Sequence, residues 1–250
     1  RIGDAAVATG LVKARDLRTA IARHNDYPLL APDESVVARE VFAAFDVNHP
    51  FLDELRRLRS QVKARWFDGA ERRERAGRSL AVISEGHGEG KTFTAANLAV
   101  SFAQMGELTL LIDGDMWGGR LHDMFALDNS NGFSTLLARR CNPRDVFQEV
   151  PGLDGLTVIP SGPEVPNASD LLAGHTAELL LALFEKAFDV VIVDTPSGDG
   201  KPDAGLIASK AGGYIVVARQ HQTLTRALAQ LVHQLEPMGA KLVGTVLMRA

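Results

Sequence analysis

Several things are scarce in this chain, and each scarcity removes a class of explanation. The 250 residues include one cysteine, Cys141, which excludes an internal disulfide and fits a reducing compartment. With no partner motif nearby, Cys141 reads as a small apolar residue. An excess of positive charge is also missing: 27 Lys and Arg stand against 31 Asp and Glu, for a net charge of −4. That leaves no polycation for a phosphodiester backbone, and no nucleic-acid partner is expected. No stretch approaches the ~20 apolar residues of a membrane span; the run 179–184 is bounded by Glu178 and Glu185. No signal peptide precedes the first element, the chain opens at Arg1 without Met, and a cytoplasmic location is expected. The seven histidines lack the His-Glu-x-x-His or Cys/His spacing of a zinc site, and no Gly-x-Ser-x-Gly elbow marks a hydrolase. Tyrosine is nearly absent, with only Tyr27 and Tyr214.

What remains is ordinary globular material, 46% hydrophobic and 23% charged, long enough for one sizeable core and a small appendage. Two textures divide it. Residues 1–46 are charge-rich with apolar residues at helical spacing (Leu17, Ala20, Ile21; Val37, Val41, Phe42, Phe45), and predict a small helical N-terminal module. Residues 47–78 predict an arginine-bearing helix and a linker that ends in the charge run 68–78. From 79 to 250 short β-branched runs alternate with helical patterns. Strands are expected at Leu80–Ile83, Thr109–Ile112, Leu156–Ile159, Val190–Val193, Tyr214–Val217 and Leu242–Leu247. Helices are expected at Ala95–Ala103 and along the stripe Leu224, Leu228, Leu231, Leu235. Continuous apolar strands alternating with helices predict an α/β fold with a doubly wound, mainly parallel sheet, whose ligands bind beyond the carboxyl ends of the strands.

Three elements sit at such ends. The run Ser84-Glu85-Gly86-His87-Gly88-Glu89-Gly90-Lys91-Thr92 lies between a strand and a helix. Its glycines leave backbone N–H groups free to converge on phosphate oxygens, and the helix N-terminus adds positive potential. Lys91 would reach the β- and γ-phosphates, and the Thr92 hydroxyl would ligate magnesium, which makes ATP and Mg2+ the expected cofactors. The nucleotide-binding set is Gly86, His87, Gly88, Glu89, Gly90, Lys91, Thr92 and Phe93. The strict pattern has Gly where Glu85 stands. Second, Asp113 and Asp115 follow an apolar strand; Asp-Gly is also turn chemistry, but beside a P-loop a functional role is favoured. Third, the strand ending in Asp194-Thr195-Pro196 places an acid where one commonly holds magnesium through water.

Together these elements, over about residues 50–250, resemble the bacterial tyrosine kinases within the deviant P-loop ATPases that include the ParA/MinD partition proteins. Gly86 stands where partition proteins carry a signature lysine. Asp113 and Asp115 match the second Walker motif of the family. Asp194-Thr195-Pro196-Ser197, with Asp203-Ala204 five residues on, matches Asp-x-Pro-Pro-x5-Asp-Ala with Ser for the second Pro. Ser161-Gly162-Pro163 and Pro166-Asn167-x-x-Asp170-Leu171-Leu172 resemble a segment of the polysaccharide-linked members. Asp53, Arg56 and Arg59 are similar to the family's Glu-x-x-Arg-x-x-Arg helix, which docks on a neighbouring subunit and closes a ring; a solvated basic face shared with Arg57 and Arg65 is the other reading. Residues Arg1–Asp4, Gly10-Leu11, Leu17, Ala20-Ile21 and His24 resemble one copy of a helical repeat from type II secretion ATPases, which in tandem can bind cyclic di-GMP. One copy, with His24 for Gln, favours a structural module and only weak or no cyclic di-GMP binding. The combination resembles the exosortase-associated tyrosine autokinases of exopolysaccharide loci.

The resemblance implies an ATP- and Mg2+-dependent protein-tyrosine autokinase with Lys91, Asp113, Asp115 and Asp194 as catalytic residues and Thr92, Asp113 and Asp194 at the metal. It also implies a homo-oligomer and a membrane chain-length-determinant protein as partner. Three departures bear on activity. Trp117 stands where the family has Arg, with Arg120 nearby as a substitute; Met248 stands where an Asn lies near the base; and the Tyr-rich tail is absent. A partition-type ATPase switch without kinase activity is the alternative.

Overall fold

The computed structural model describes residues 2–13, 16–17, 20, 24, 28–33, 35–68, 79–198 and 202–249. Tyr27, Ile21 and most of the charge run (69–78) lie outside the described residues.

Seven strands form one sheet: β1 Ser79–Ile83, β2 Thr109–Asp113, β3 Gln148–Glu149, β4 Leu156–Ile159, β5 Val190–Asp194, β6 Gly212–Arg219 and β7 Lys241–Met248. Their order is β3-β4-β2-β5-β1-β6-β7, parallel throughout except for the short antiparallel β3 at one edge. All six expected strands are present, each within two residues of its expected bounds at either end. The short β3, with its polar Gln148-Glu149, had no apolar run to announce it. The three central strands β1, β2 and β5 are buried at every position, because helices cover both faces. Alternation along β1 shows it: Leu80 and Val82 join one core, Ala81 and Ile83 the other.

Described helices are α1 Ile2–Ala8, α2 Leu52–Val62, α3 Lys91–Ala103, α4 Leu121–Phe125, α5 Phe133–Leu137, α6 Ala168–Ala173, α7 His175–Ala187, α8 Asp203–Ala211 and α9 Thr225–Leu235. Helix α3 supplies Ala95, Ala96, Leu98, Ala99 and Phe102 to the first core; its alanines let the helix lie close on the sheet, so enlarging Ala99 would cost about 1–3 kcal/mol in overpacking. Helices α7, α8 and α9 cover the opposite face through Leu181, Phe184, Ile207, Leu231 and Leu235.

The apolar spacing in 37–45 predicted helix, and the chain instead makes turns around a single 3-10 turn, Phe42–Ala44. This segment is bound to α3. Asn97 Oδ1 accepts the Ala43 N–H at 3.0 Å while its Nδ2 donates to Glu40 O at 3.0 Å. Gln104 Nε2 donates to Ala43 O at 2.8 Å and to Pro28 O at 3.0 Å. Val41, Phe42, Ala43 and Ala44 are buried in the same core as the sheet. The expected break near residue 46 therefore separates two stretches that share one core. Beyond α2, Trp66 lies over Gly213, where a β-carbon would come within 2.5 Å of its ring, and donates from Nε1 to Ser79 O at 3.1 Å. Phe67 packs beside it, edge-on to Phe102 with ring centroids 5.5 Å apart.

The Ser161-Gly162-Pro163 segment is a packing device. Gly162 has φ +77°, and its approach to Gly132 leaves no room for a side chain at either residue. Backbone bonds from Phe133 and Ser134 to Pro160 O (2.8 Å) and Ser161 O (2.9 Å) then seat the start of α5.

Candidate active site

Strand β1 delivers the chain into the loop 84–90, and α3 begins at Lys91. Gly88 and Gly90 hold φ of +74° and +101°, conformations that an L side chain resists. Gly90 caps the helix, and Met248 packs behind it, 3.3 Å from where a β-carbon would sit. Lys91 is buried along the loop, its Nζ 3.0 Å from Ser84 Oγ and 3.5 Å from Gly86 O.

The Thr92 hydroxyl donates to Asp194 Oδ2 at 2.6 Å. Strands β2 and β5 are adjacent and in register, with Asp113 paired opposite Asp194. Both carboxylates are buried. Asp113 accepts the Asp115 N–H at 3.2 Å and the Leu121 N–H at 3.0 Å, and Gly119 abuts both of its oxygens where a β-carbon would come within 2.7 Å. Among the described residues, Asp194 Oδ1 is buried with no hydrogen-bond partner. Burial holds the Asp113 carboxyl well above the usual carboxylate range, with the neighbouring Asp194 adding to it. Burial also pushes Asp194 up to about 7, against the pull of the Thr92 hydroxyl and the Lys91 ammonium. Two acids facing each other out of water are a site short of positive charge.

Those observations fit a divalent cation beside a phosphate. An orphaned carboxylate oxygen, a threonine hydroxyl on the same acid and a lysine on the loop are the protein's share of such a site. Among the described residues, no group of three His, Cys, Asp or Glu is placed to hold a metal by itself. A P-loop magnesium does not need one, since it draws on a hydroxyl, waters and phosphate oxygens.

The remaining expected residues fall in different places. Asp115 Oδ1 accepts the N–H groups of Trp117 and Gly118, both at 3.1 Å, and so shapes the loop after β2. Glu89 is buried, with its carboxylate on the Gly86 N–H at 3.1 Å and on the Thr223 hydroxyl. His87 is exposed. Phe93 turns from the loop toward Phe42, with ring centroids 5.6 Å apart. It lines a cavity of about 280 Å³ with Phe42, Phe51, Leu55, Val246 and Met248. Arg56 and Asp53 form an exposed pair at 3.5 Å on α2. Arg59 is turned inward, donating to Ser101 O at 2.8 Å and Ser101 Oγ at 3.0 Å on α3.

Trp117 takes up a role that the sequence did not disclose. Its indole Nε1 donates to Asp203 Oδ2 at 2.8 Å, and the buried Asp203 also accepts from the Ser169 hydroxyl. Arg120 is not a substitute there: its guanidinium pairs with Glu40 at 2.9 Å. Tyr214 is buried in β6.

Known proteins share this frame. The family model described as an AAA domain matches residues 77–243. Tyrosine-protein kinase YwqD of Bacillus subtilis is 33% identical over 174 residues, which cover 70% of this chain and 73% of that protein. Putative tyrosine-protein kinase CapB of Staphylococcus aureus is 30% identical over 195 residues, 78% of this chain and 82% of that one. The crystal structure of the chimerical protein CapA2B2 matches with a TM-score of 0.76 at 28% identity, covering 93% of this chain and 99% of that chain.

Proposed function

The chain belongs to the bacterial tyrosine-protein kinases, and from that premise we propose how its site works and what it serves. It is a nucleotide-binding P-loop enzyme that moves the γ-phosphoryl group of ATP to a tyrosine hydroxyl. The observation that carries this reading is the Thr92–Asp194 bond beside the orphaned Asp194 Oδ1, with Asp113 in register next to it.

Thr92 and Asp194, with Asp113 behind them, would hold Mg2+; when bound, that ion neutralises charge on the phosphates. The chain's own groups do the rest. The loop's N–H groups and the start of α3 orient the triphosphate. Lys91, whose Nζ lies beside Ser84 Oγ and Gly86 O, would extend to the β- and γ-phosphates. Asp113 would act in its ionised form: the burial that raises its carboxyl makes the carboxylate a stronger base for the phenol proton as the phosphoryl group is transferred, and Asp115 fixes the loop that follows it. In-line attack then needs positioning more than covalent help from the protein.

The acceptor is Tyr27, a tyrosine of a partner, or one on chain beyond Ala250, because Tyr214 is buried. Transfer between subunits suits Tyr27, and Asp53 and Arg56 on α2 would meet the neighbour in a ring. A membrane chain-length-determinant protein is the proposed partner, exopolysaccharide export the proposed setting, and the inner face of the membrane the proposed location. None of the described helices is long and apolar enough to cross a membrane. Cyclic di-GMP binding at the single N-terminal repeat should be weak or nil, and micromolar binding in a titration would instead give that module a regulatory role. The deciding experiment incubates the protein and its membrane partner with Mg2+ and γ-labelled ATP and maps the label by mass spectrometry. Phosphotyrosine is expected; ADP and free phosphate with no phosphotyrosine would leave an ATPase switch instead.

A further inference from the structure

The turn after β6 grips the P-loop at three successive residues. Arg219 Nη1 donates to Gly88 O at 2.9 Å, Gln222 Nε2 donates to His87 O at 3.2 Å, and the Thr223 hydroxyl donates to the Glu89 carboxylate. Glu89, 2% exposed, uses its other oxygen to accept the Gly86 N–H. The turn is itself held in shape. Its Gln222 and Thr223 N–H groups close on Arg219 O at 3.1 and 2.9 Å, and the Arg219 N–H closes on Thr223 Oγ1 at 2.8 Å. The Gln220 N–H reaches Met248 O at 2.8 Å, tying the turn to the end of β7. His221 sits at φ +62°, a left-handed conformation that a non-glycine residue keeps where its surroundings fix it.

A trans peptide sets each C=O opposite the N–H that follows it. Holding the His87 carbonyl on Gln222 therefore aims the Gly88 N–H away from the turn. Holding the Gly88 carbonyl on Arg219 does the same for the Glu89 N–H. Neither N–H has an acceptor among the described residues. The donors needed by a phosphate are thus left facing the concave side of the loop. The Glu89 side chain, which would repel phosphate if it faced that side, is drawn off to Thr223 instead.

We propose that residues 219–223 are a brace that preorganises the P-loop, with Thr223, Gln222 and Arg219 as positioning residues and Glu89 as the link through which Thr223 acts. This rests on nucleotide binding at the loop. A loop already holding its bound shape loses less conformational freedom on binding, and the gain falls on affinity rather than on the chemical step.

The test compares wild type, Thr223→Val and Thr223→Ser for Mg-ADP affinity by calorimetry, KM and kcat for ATP, and thermal midpoint. Thr223→Val should weaken Mg-ADP binding and raise KM on the order of tenfold with kcat within about twofold, and Thr223→Ser should restore both. Hydrogen exchange at the Gly86 amide, which the Glu89 carboxylate accepts, should quicken in the valine variant. Should Thr223→Val fail to fold, Gln222→Ala, which removes one exposed bond, should still weaken binding about two- to threefold. A folded Thr223→Val variant with wild-type affinity would overturn the brace alone. Absence of Mg-ADP binding by wild type would instead overturn the nucleotide site on which the brace depends.

Discussion

Thr92 on the first turn of α3 and Asp194 at the end of β5, 102 residues apart in sequence, are joined by a 2.6 Å hydrogen bond that closes the floor of the phosphate site. Among the described residues the acid's other oxygen is buried without a partner, which suits it to a positive charge.

Removing Lys91 tests the other side of that charge balance. Among the described residues its ammonium bonds Ser84 and Gly86, so Lys91→Met should fold normally. Losing a charged donor to phosphate should weaken Mg-ATP binding roughly 10- to 100-fold. Calorimetry showing wild-type affinity would remove Lys91 from the site.

The pH response follows from Asp194. Its carboxyl is raised from 3.8 to about 7, so the folded protein holds this proton more tightly than the unfolded chain. The group's contribution to stability is therefore fully present below about pH 4 and is lost as pH rises through about 7. Nucleotide-free protein should show a thermal midpoint that falls across this window, and Asp194→Asn should flatten the fall. Scanning calorimetry in which the two proteins lose stability in parallel would contradict the assignment.

Asp113→Asn should abolish tyrosine phosphorylation while leaving nucleotide binding within a fewfold of wild type. The amide keeps one acceptor for the two N–H groups that now bond the carboxylate, so a modest stability loss of about 1 kcal/mol accompanies it. Undiminished phosphotyrosine by mass spectrometry would move the base elsewhere.

The two arginines of α2 should separate by phenotype. Arg56 is exposed beside Asp53, and Arg56→Ala should change assembly mass in sedimentation without moving the thermal midpoint. Arg59 is tied to Ser101, and Arg59→Ala should cost about 1–3 kcal/mol of stability. A variant pair that behaved alike in both measurements would refute the division.

Much of this was legible in the chain. Apolar runs gave the six long strands because both sheet faces are covered, and the glycine loop, Asp113 and Asp194 stood out because phosphate chemistry restricts what can sit there. Trp117 was hidden for a physical reason: its partner Asp203 lies 86 positions away, and nothing local tells an indole that caps an acid from one that packs. Arg59 looked like Arg56, since helix periodicity places both on one face yet does not say which will bend back to Ser101. Glu89 read as a phosphate neighbour by position, whereas its carboxylate points to Thr223, a contact across 134 residues. The segment 37–45 had helical spacing, but Asn97 and Gln104 offer its backbone other partners, and turns result.

That last contact has a practical edge. A preparation trimmed to begin at α2 would lay bare the patch of α3 that Val41, Phe42 and Ala43 cover. The amides of Asn97 and Gln104, evolved to meet a peptide backbone, would be left beside an oily strip with water as their replacement. Such a shortened protein is a candidate for clumping during expression, and any loss of activity it showed would report a missing lid on the core rather than a missing regulator.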